Sequence, residues 1–238
     1  MSSVALPRRQ TDSNIIRPKD VGVVYDVAPI ILTMQSRLAN RFRTLERQEQ
    51  IRLYNHFSRV RGSRGTAAIF FEAAGQRRIQ DGVALEIVPM VRLPSSRRGT
   101  NPRWYSSHVH LLNEQLEASR QEALQRKQSV CIPMFPSIEY RDGPLTIKSG
   151  FVYVPDLTNQ VALDSFVAID GLLYLFQFTI GGEHGVKAGL IDFLSKCSGV
   201  PHKAQWRFIF ILPPNLTLVC PQPRNMRGLR LFSAVIKI

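Results

Sequence analysis

Two runs, VALDSFVAI at 161–169 and LLYLFQFTI at 172–180, carry Asp164, Gln177 and Thr179 among largely apolar side chains. Asp170 and Gly171 separate them, and Asp-Gly between two hydrophobic stretches is the strongest short-range signal of a two-residue β-hairpin. Such a loop fixes the pairing register. With Ile169 opposite Leu172, counting outward sets Asp164 directly across from Gln177, and Thr179 falls on the same face because side chains alternate along a strand. A carboxylate, an amide and a hydroxyl are thus grouped on one patch of sheet. Two readings are open: a hydrogen-bonded pair near the end of a sheet, or a metal held by Asp164 at a catalytic cleft.

The rest of that face is apolar (Ala162, Phe166, Ala168, Leu173, Leu175), and so is the other (Leu163, Val167, Tyr174, Phe176, Phe178), as expected of a sheet covered by helices on both sides. Other groups have chemical capacity at lower specificity. Glu72 lies in the helical segment AAIFFEAAGQRRIQ and taken alone is a solvated helix glutamate. His184 and Lys187 open a helix expected over about 184–196, where the N-terminal dipole favours anions. His108 and His110 share a strand face and can bind a metal, but no third ligand is near them in sequence and a surface strand fits as well. Trp104 and Tyr105 stand beside Arg97, Arg98 and Arg103, a base-stacking basic loop or an aromatic pair entering a core.

Elements must hold these groups in place. The 238-residue chain, 44% hydrophobic, suffices for one sizeable core. Lys and Arg number 31 against 18 Asp and Glu, a formal charge of +13, which points to a polyanion such as nucleic acid or an acidic membrane surface, or to a soluble protein that is simply basic. Three widely spaced cysteines give neither a disulfide framework nor a zinc site and read as buried apolar residues. No apolar stretch approaches a membrane span and the N-terminus has no signal-peptide core, so the expectation is an intracellular, soluble chain or a portion of a longer one.

Residues 1–14 are polar and expected to be disordered. From about Pro29 to Val60, apolar residues recur at helical spacing with Arg37, Arg41, Arg43, Arg47 and Arg52 between them, predicting one or two amphipathic helices in a basic extension over 15–65. A second helical segment opens at Thr66 and is stopped by Asp81 and Gly82. A single strand is expected at 83–93, a helix at 110–128, and a connection with one short strand at 131–150. The hairpin, the helix at 184–196, the strand WRFIFIL before Pro213, and two short C-terminal runs complete an α/β domain over 66–238.

In order along the chain, FVYVPDLTNQVALDSF, LYLFQFT, HGVK and WRFIFILPP resemble the nuclease-like domain of Crinkler effectors and retrotransposon hot spot proteins, a branch of the PD-(D/E)XK restriction-endonuclease superfamily. AAIFFEAAGQRRIQDG is similar to the family's first core helix. The resemblance spans roughly 66–212 and is loosest from 94 to 150. It implies a mixed central β-sheet flanked by helices, with one or two Mg²⁺ (or Mn²⁺) ions among an acid on the first helix, a strand aspartate and a Glu-x-Lys on the next strand. Residue by residue, Glu72 matches the helix acid and Asp164 the strand aspartate. Gln177 stands at the second acid and Thr179 at the lysine, and Lys187 is then the candidate replacement ammonium.

The implied function is Mg-dependent cleavage of double-stranded DNA, with Glu72, Asp164 and Gln177 as metal ligands and Arg41, Arg47, Arg97, Arg98 and Lys187 on the nucleic acid. The alternative is a catalytically degenerate nuclease fold that binds DNA or a protein. Nuclear localisation and a protein partner or homodimer are further expectations, and no membrane role is expected. Glutamine lacks the glutamate charge, and threonine cannot supply an ammonium.

Overall fold

Asp170 and Gly171 both take positive φ, 50° and 73°, as the loop of a tight two-residue hairpin requires. They join β7 (Ser165–Ile169) to β8 (Leu172–Phe178). Ile169 pairs with Leu172 and Ser165 with Phe176, the register anticipated from the Asp-Gly signal. The structure, a computed structural model, describes residues 23–60, 62–93, 102–107, 114–141, 143–156, 163–221, 226 and 228–238. Arg97, Arg98, His108 and His110 lie outside the described residues, as does the expected disordered segment at 1–14.

The chain is an α/β protein. Its helices are α1 (Val23–Arg43), α2 (Arg47–Arg59), α3 (Arg64–Gln80), α4 (Glu114–Gln125) and α5 (Gly189–Lys196). The other strands are β1 (Val83–Pro89), β2 (Val91–Leu93), β3 (Arg103–Tyr105), β4 (Gln128–Ile132), β5 (Ser137–Tyr140), β6 (Val152–Pro155), β9 (Trp206–Leu212), β10 (Val219–Pro221) and β11 (Leu231–Val235). Eight strands form a mixed sheet in the order β4-β1-β11-β9-β8-β7-β6-β5, and β10-β3-β2 form a small second sheet. Strand β8 runs antiparallel to β7 and parallel to β9.

Both faces of the large sheet are covered, which is why its central strands are apolar throughout. Leu190, Phe193 and Leu194 of α5 pack with Phe166, Leu173, Leu175, Phe208 and Phe210. On the opposite face, Phe71 and Ile79 of α3 pack with Val152, Val167, Phe176, Phe178, Ile209 and Ile211. Leu163, expected on the α3 face, packs with Phe166 instead, because β7 begins only at Ser165 and strand alternation does not extend back to it.

Several expectations are corrected. The N-terminal region is two helices, and α1 starts ahead of Pro29. They share a core with α3: the Phe42 ring stacks on Phe70 at 4.3 Å and Phe57 meets Phe70 edge-on at 5.5 Å. The extension is therefore packed on the domain at its first helix. The single strand at 83–93 is divided between two sheets at Met90, whose N–H goes to Leu231 O, directly after Pro89, which has no N–H to donate. Residues 131–150 hold part of β4 and all of β5, the two edge strands. The helix expected from His184 begins at Gly189, because Glu183 bridges Val219 and His184 N donates to Val219 O. Of the cysteines only Cys220 is buried, and Cys131 faces out from edge strand β4.

Gly75 marks the closest approach of α3 to the sheet, since a Cβ there would run into the Phe178 ring. An alanine ordinarily stabilises a helix interior by about 1 kcal/mol over glycine. Here Gly75→Ala is expected to destabilise by about 1–3 kcal/mol through overpacking, with Gly75→Ala/Phe178→Leu recovering most of the loss in urea unfolding. Equal stability of Gly75→Ala and wild type would contradict this packing.

Candidate functional site

Strand β8 ends against α3 on one side and the approach to α5 on the other, and the polar residues gather at that end. Asp164 N donates to Phe176 O at 3.1 Å, one residue off the Gln177 partner that the hairpin register would give it, so the regular ladder ends at Ser165. The Asp164 carboxylate turns back on β8, where Oδ2 accepts from Gln177 Nε2 and Phe178 N, each at 2.6 Å. Asp164 and Gln177 are 8% and 3% exposed. The hydrogen-bonded pair is therefore real, but it does not satisfy the amide. With Nε2 donating to Asp164, Gln177 Oε1 is buried without a hydrogen-bond partner among the described residues.

Helix α3 supplies the second carboxylate. Gln76, 1% exposed, donates through Nε2 to Asp164 O at 2.8 Å and to Glu72 Oε1 at 3.2 Å. One amide thus ties a helix acid to the strand that carries the other acid. Glu72 and Gln76 lie one helical turn apart on a single face, the spacing at which side chains meet. Gln76 Oε1 in turn accepts from Arg43 Nη2 of α1.

Burial raises the proton affinity of Glu72 most, the nearby Asp164 charge raises it further, and Arg43, Lys187 and the Gln76 hydrogen bond pull it partly back. Burial likewise lifts Asp164, opposed by the Phe178 N–H, by Lys187 and by Gln177. Lys187 acts on both carboxylates from the segment before α5, so cationic potential arrives from the sheet face opposite α3. Glu72, Asp164 and Lys187 thus interact electrostatically, Gln177 is hydrogen-bonded to Asp164, and Gln76 links Glu72 to the Asp164 backbone.

The other candidates are placed differently. Thr179 is buried next to the cluster, and its Oγ1 accepts from Gly181 N at 3.0 Å, closing the turn after β8. His184 Nδ1 lies 3.0 Å from Gly185 O and its ring meets Phe210 edge-on, while burial lowers its proton affinity, so it presents no cation to a phosphate. Arg41 and Arg47 are exposed at the junction of α1 and α2. Arg47 shares a small cleft with Arg77 and Arg78 of α3. Trp104 is half-buried in the small sheet with the Arg92 guanidinium 6.0 Å above its ring.

Arg43 and Gln76 were not among the site residues read from the sequence. The Glu72-to-Gln76 spacing is a signal for Gln76, whereas nothing in the sequence separates Arg43 from the other arginines of its helix.

Among the described residues no cluster of three or more His, Cys, Asp or Glu side chains exists. The donor set is two carboxylates and one amide oxygen, all hard oxygen ligands of the kind Mg²⁺ and Mn²⁺ take while keeping several waters. The unpartnered Gln177 Oε1 fits such an ion, because a cation would satisfy an acceptor the protein leaves bare. No family model, curated protein or solved structure matches the chain. None of the described helices is long and apolar enough to cross a membrane.

A carboxyl that holds its proton more tightly folded than unfolded contributes stability below the ordinary carboxylate range and loses it as pH rises through the folded value. For Glu72 that value is about 8. Unfolding free energy is expected to fall by on the order of 2 kcal/mol from pH 5 to pH 8.5, and Glu72→Gln should flatten the profile. Urea melts across this range check it, and an unchanged slope in Glu72→Gln would refute the assignment.

Proposed function

We propose that the chain is a restriction-endonuclease-like domain that binds double-stranded DNA and hydrolyses its phosphodiester backbone with Mg²⁺ or Mn²⁺. The observation that supports this reading is the electrostatic coupling of Glu72, Asp164 and Lys187 at one end of β8, where Asp164 also holds Gln177, whose Oε1 is buried without a partner among the described residues. Glu72, Asp164 and Gln177 Oε1 would hold the ion, which when bound polarises the phosphate and makes hydroxide available at neutral pH. Lys187 sets a positive charge against the phosphate and stands in for the missing strand lysine. The exposed Arg41 and Arg47 give the backbone an electrostatic track next to the site. Gln76 keeps the Glu72 carboxylate turned toward Asp164.

One set of observations favours a second reading, a degenerate nuclease fold that binds DNA without cutting it. Gln177 brings no charge and the Thr179 hydroxyl closes a turn. Arg43 and Lys187 both act on Glu72, whose pKa is raised to about 8, and a carboxyl that holds its proton beside two cations attracts a divalent ion less than an acid-rich set does.

The two readings separate in one experiment. Under the first, the chain nicks duplex DNA with Mg²⁺ or Mn²⁺, Asp164→Ala lowers the rate by about 100-fold or more, and Mn²⁺ raises the melting temperature of the wild type but not of Asp164→Ala. Under the second, binding persists with a log-log salt slope of several units, equal in wild type and Asp164→Asn. DNA that stays intact with every divalent metal sinks the first reading.

A further inference from the structure

Resting on the metal-site reading above, we infer that Arg43 is a built-in counter-ion of Glu72 that competes with a divalent cation, so that helix α1 tunes the metal affinity of the site.

Arg43 is the last residue of α1 and is held on three sides. Its Nη1 donates to Asn40 Oδ1 at 2.6 Å, its Nη2 donates to Gln76 Oε1, and its backbone oxygen accepts from Arg77 Nη1. Helix α1 is itself fastened to α3 by the Phe42–Phe70 stack. The guanidinium is thus not a solvated surface charge free to swing away. Its burial disfavours the charged form, and the Glu72 and Glu139 carboxylates offset that cost.

Arg43 does two separable things. As a hydrogen-bond donor it occupies Gln76 Oε1, which leaves the Gln76 NH₂ group to face Glu72 and Asp164 O. As a charge it lowers the negative potential that a metal ion would feel at Glu72. The two effects have opposite signs on metal binding. Loss of the donor loosens Glu72 and weakens binding, whereas loss of the charge removes a repulsion and strengthens it. The charge effect wins, because the buried Gln76 stays anchored on Asp164 O at 2.8 Å and goes on holding Glu72 without help from Arg43.

The test is titration of the full chain with Mn²⁺ alone, reading free Mn²⁺ by its electron paramagnetic resonance signal. Arg43→Met and Arg43→Gln are both neutral, and the second keeps an amide donor near Gln76, so a failure of one to fold leaves the other informative. Both are expected to bind Mn²⁺ about three- to tenfold more tightly than wild type. Arg43→Lys, which keeps the charge, should stay within about twofold of wild type. Neutral variants that bind Mn²⁺ equally or more weakly would overturn the inference while leaving the site intact, provided Asp164→Ala abolishes wild-type binding. If wild type, Arg43→Met and Arg43→Gln all leave Mn²⁺ free, the metal-site reading itself fails.

Discussion

The end of β8 is held by a closed circuit of contacts through Asp164. Its carboxylate accepts the Phe178 N–H, the Phe178 ring fills the space left by Gly75, and the neighbouring Gln76 returns a hydrogen bond to the Asp164 carbonyl. Each link constrains the next. The backbone bond fixes where Phe178 points, the ring fixes how closely α3 approaches, and that approach brings Gln76 within reach of the strand. Asp164 is almost fully buried, and an unpaired buried carboxylate is costly, so the circuit is also what makes its presence tolerable.

The electrostatics follow from the same arrangement. Bringing α3 onto β8 sets Glu72 near Asp164, and burial and mutual repulsion act together on the pair. Cations reach it from both sides of the sheet, Arg43 through α1 and Lys187 through the stretch before α5. This layout is costly for a protein that needs only a stable sheet end, since apolar residues of similar volume would pack there at least as well. Asp164 and Glu72 are perturbed carboxyls, and the Gln177 amide bonded to Asp164 keeps an acceptor with no partner among the described residues.

Legibility from sequence followed the range of the interaction. The Asp-Gly turn is local chemistry, so the β7–β8 register could be counted to the residue from Ile169 back to Ser165, and Asp164 meets Gln177 through its side chain. WRFIFIL, bounded by Pro213, was equally plain, and it is strand β9. Failures came where a distant partner decided the outcome. His184 and Lys187 read as helix, yet Glu183 and His184 bond to Val219 and the helix begins only at Gly189. The 83–93 run read as one strand because its division depends on which sheet each half joins. Arg43 could not be told from Arg41 or Arg47 by periodicity, since what distinguishes it is a glutamine on another helix.

Gln177 sets an uncharged amide beside a buried carboxylate, and its geometry gives that choice a physical sense. A glutamate at this position would set a further carboxyl against Asp164 Oδ2, and the two would stay buried together only with one of them protonated or a cation beside them. The amide donates to Asp164 through Nε2 and still offers Oε1 as an uncharged acceptor. Glutamine therefore lets the circuit through Asp164 close before any cation arrives, at the cost of the charge that would draw the cation in. Glutamine here holds the strand end without adding charge, so the local electrostatics are set by Glu72 and Asp164 against Arg43 and Lys187.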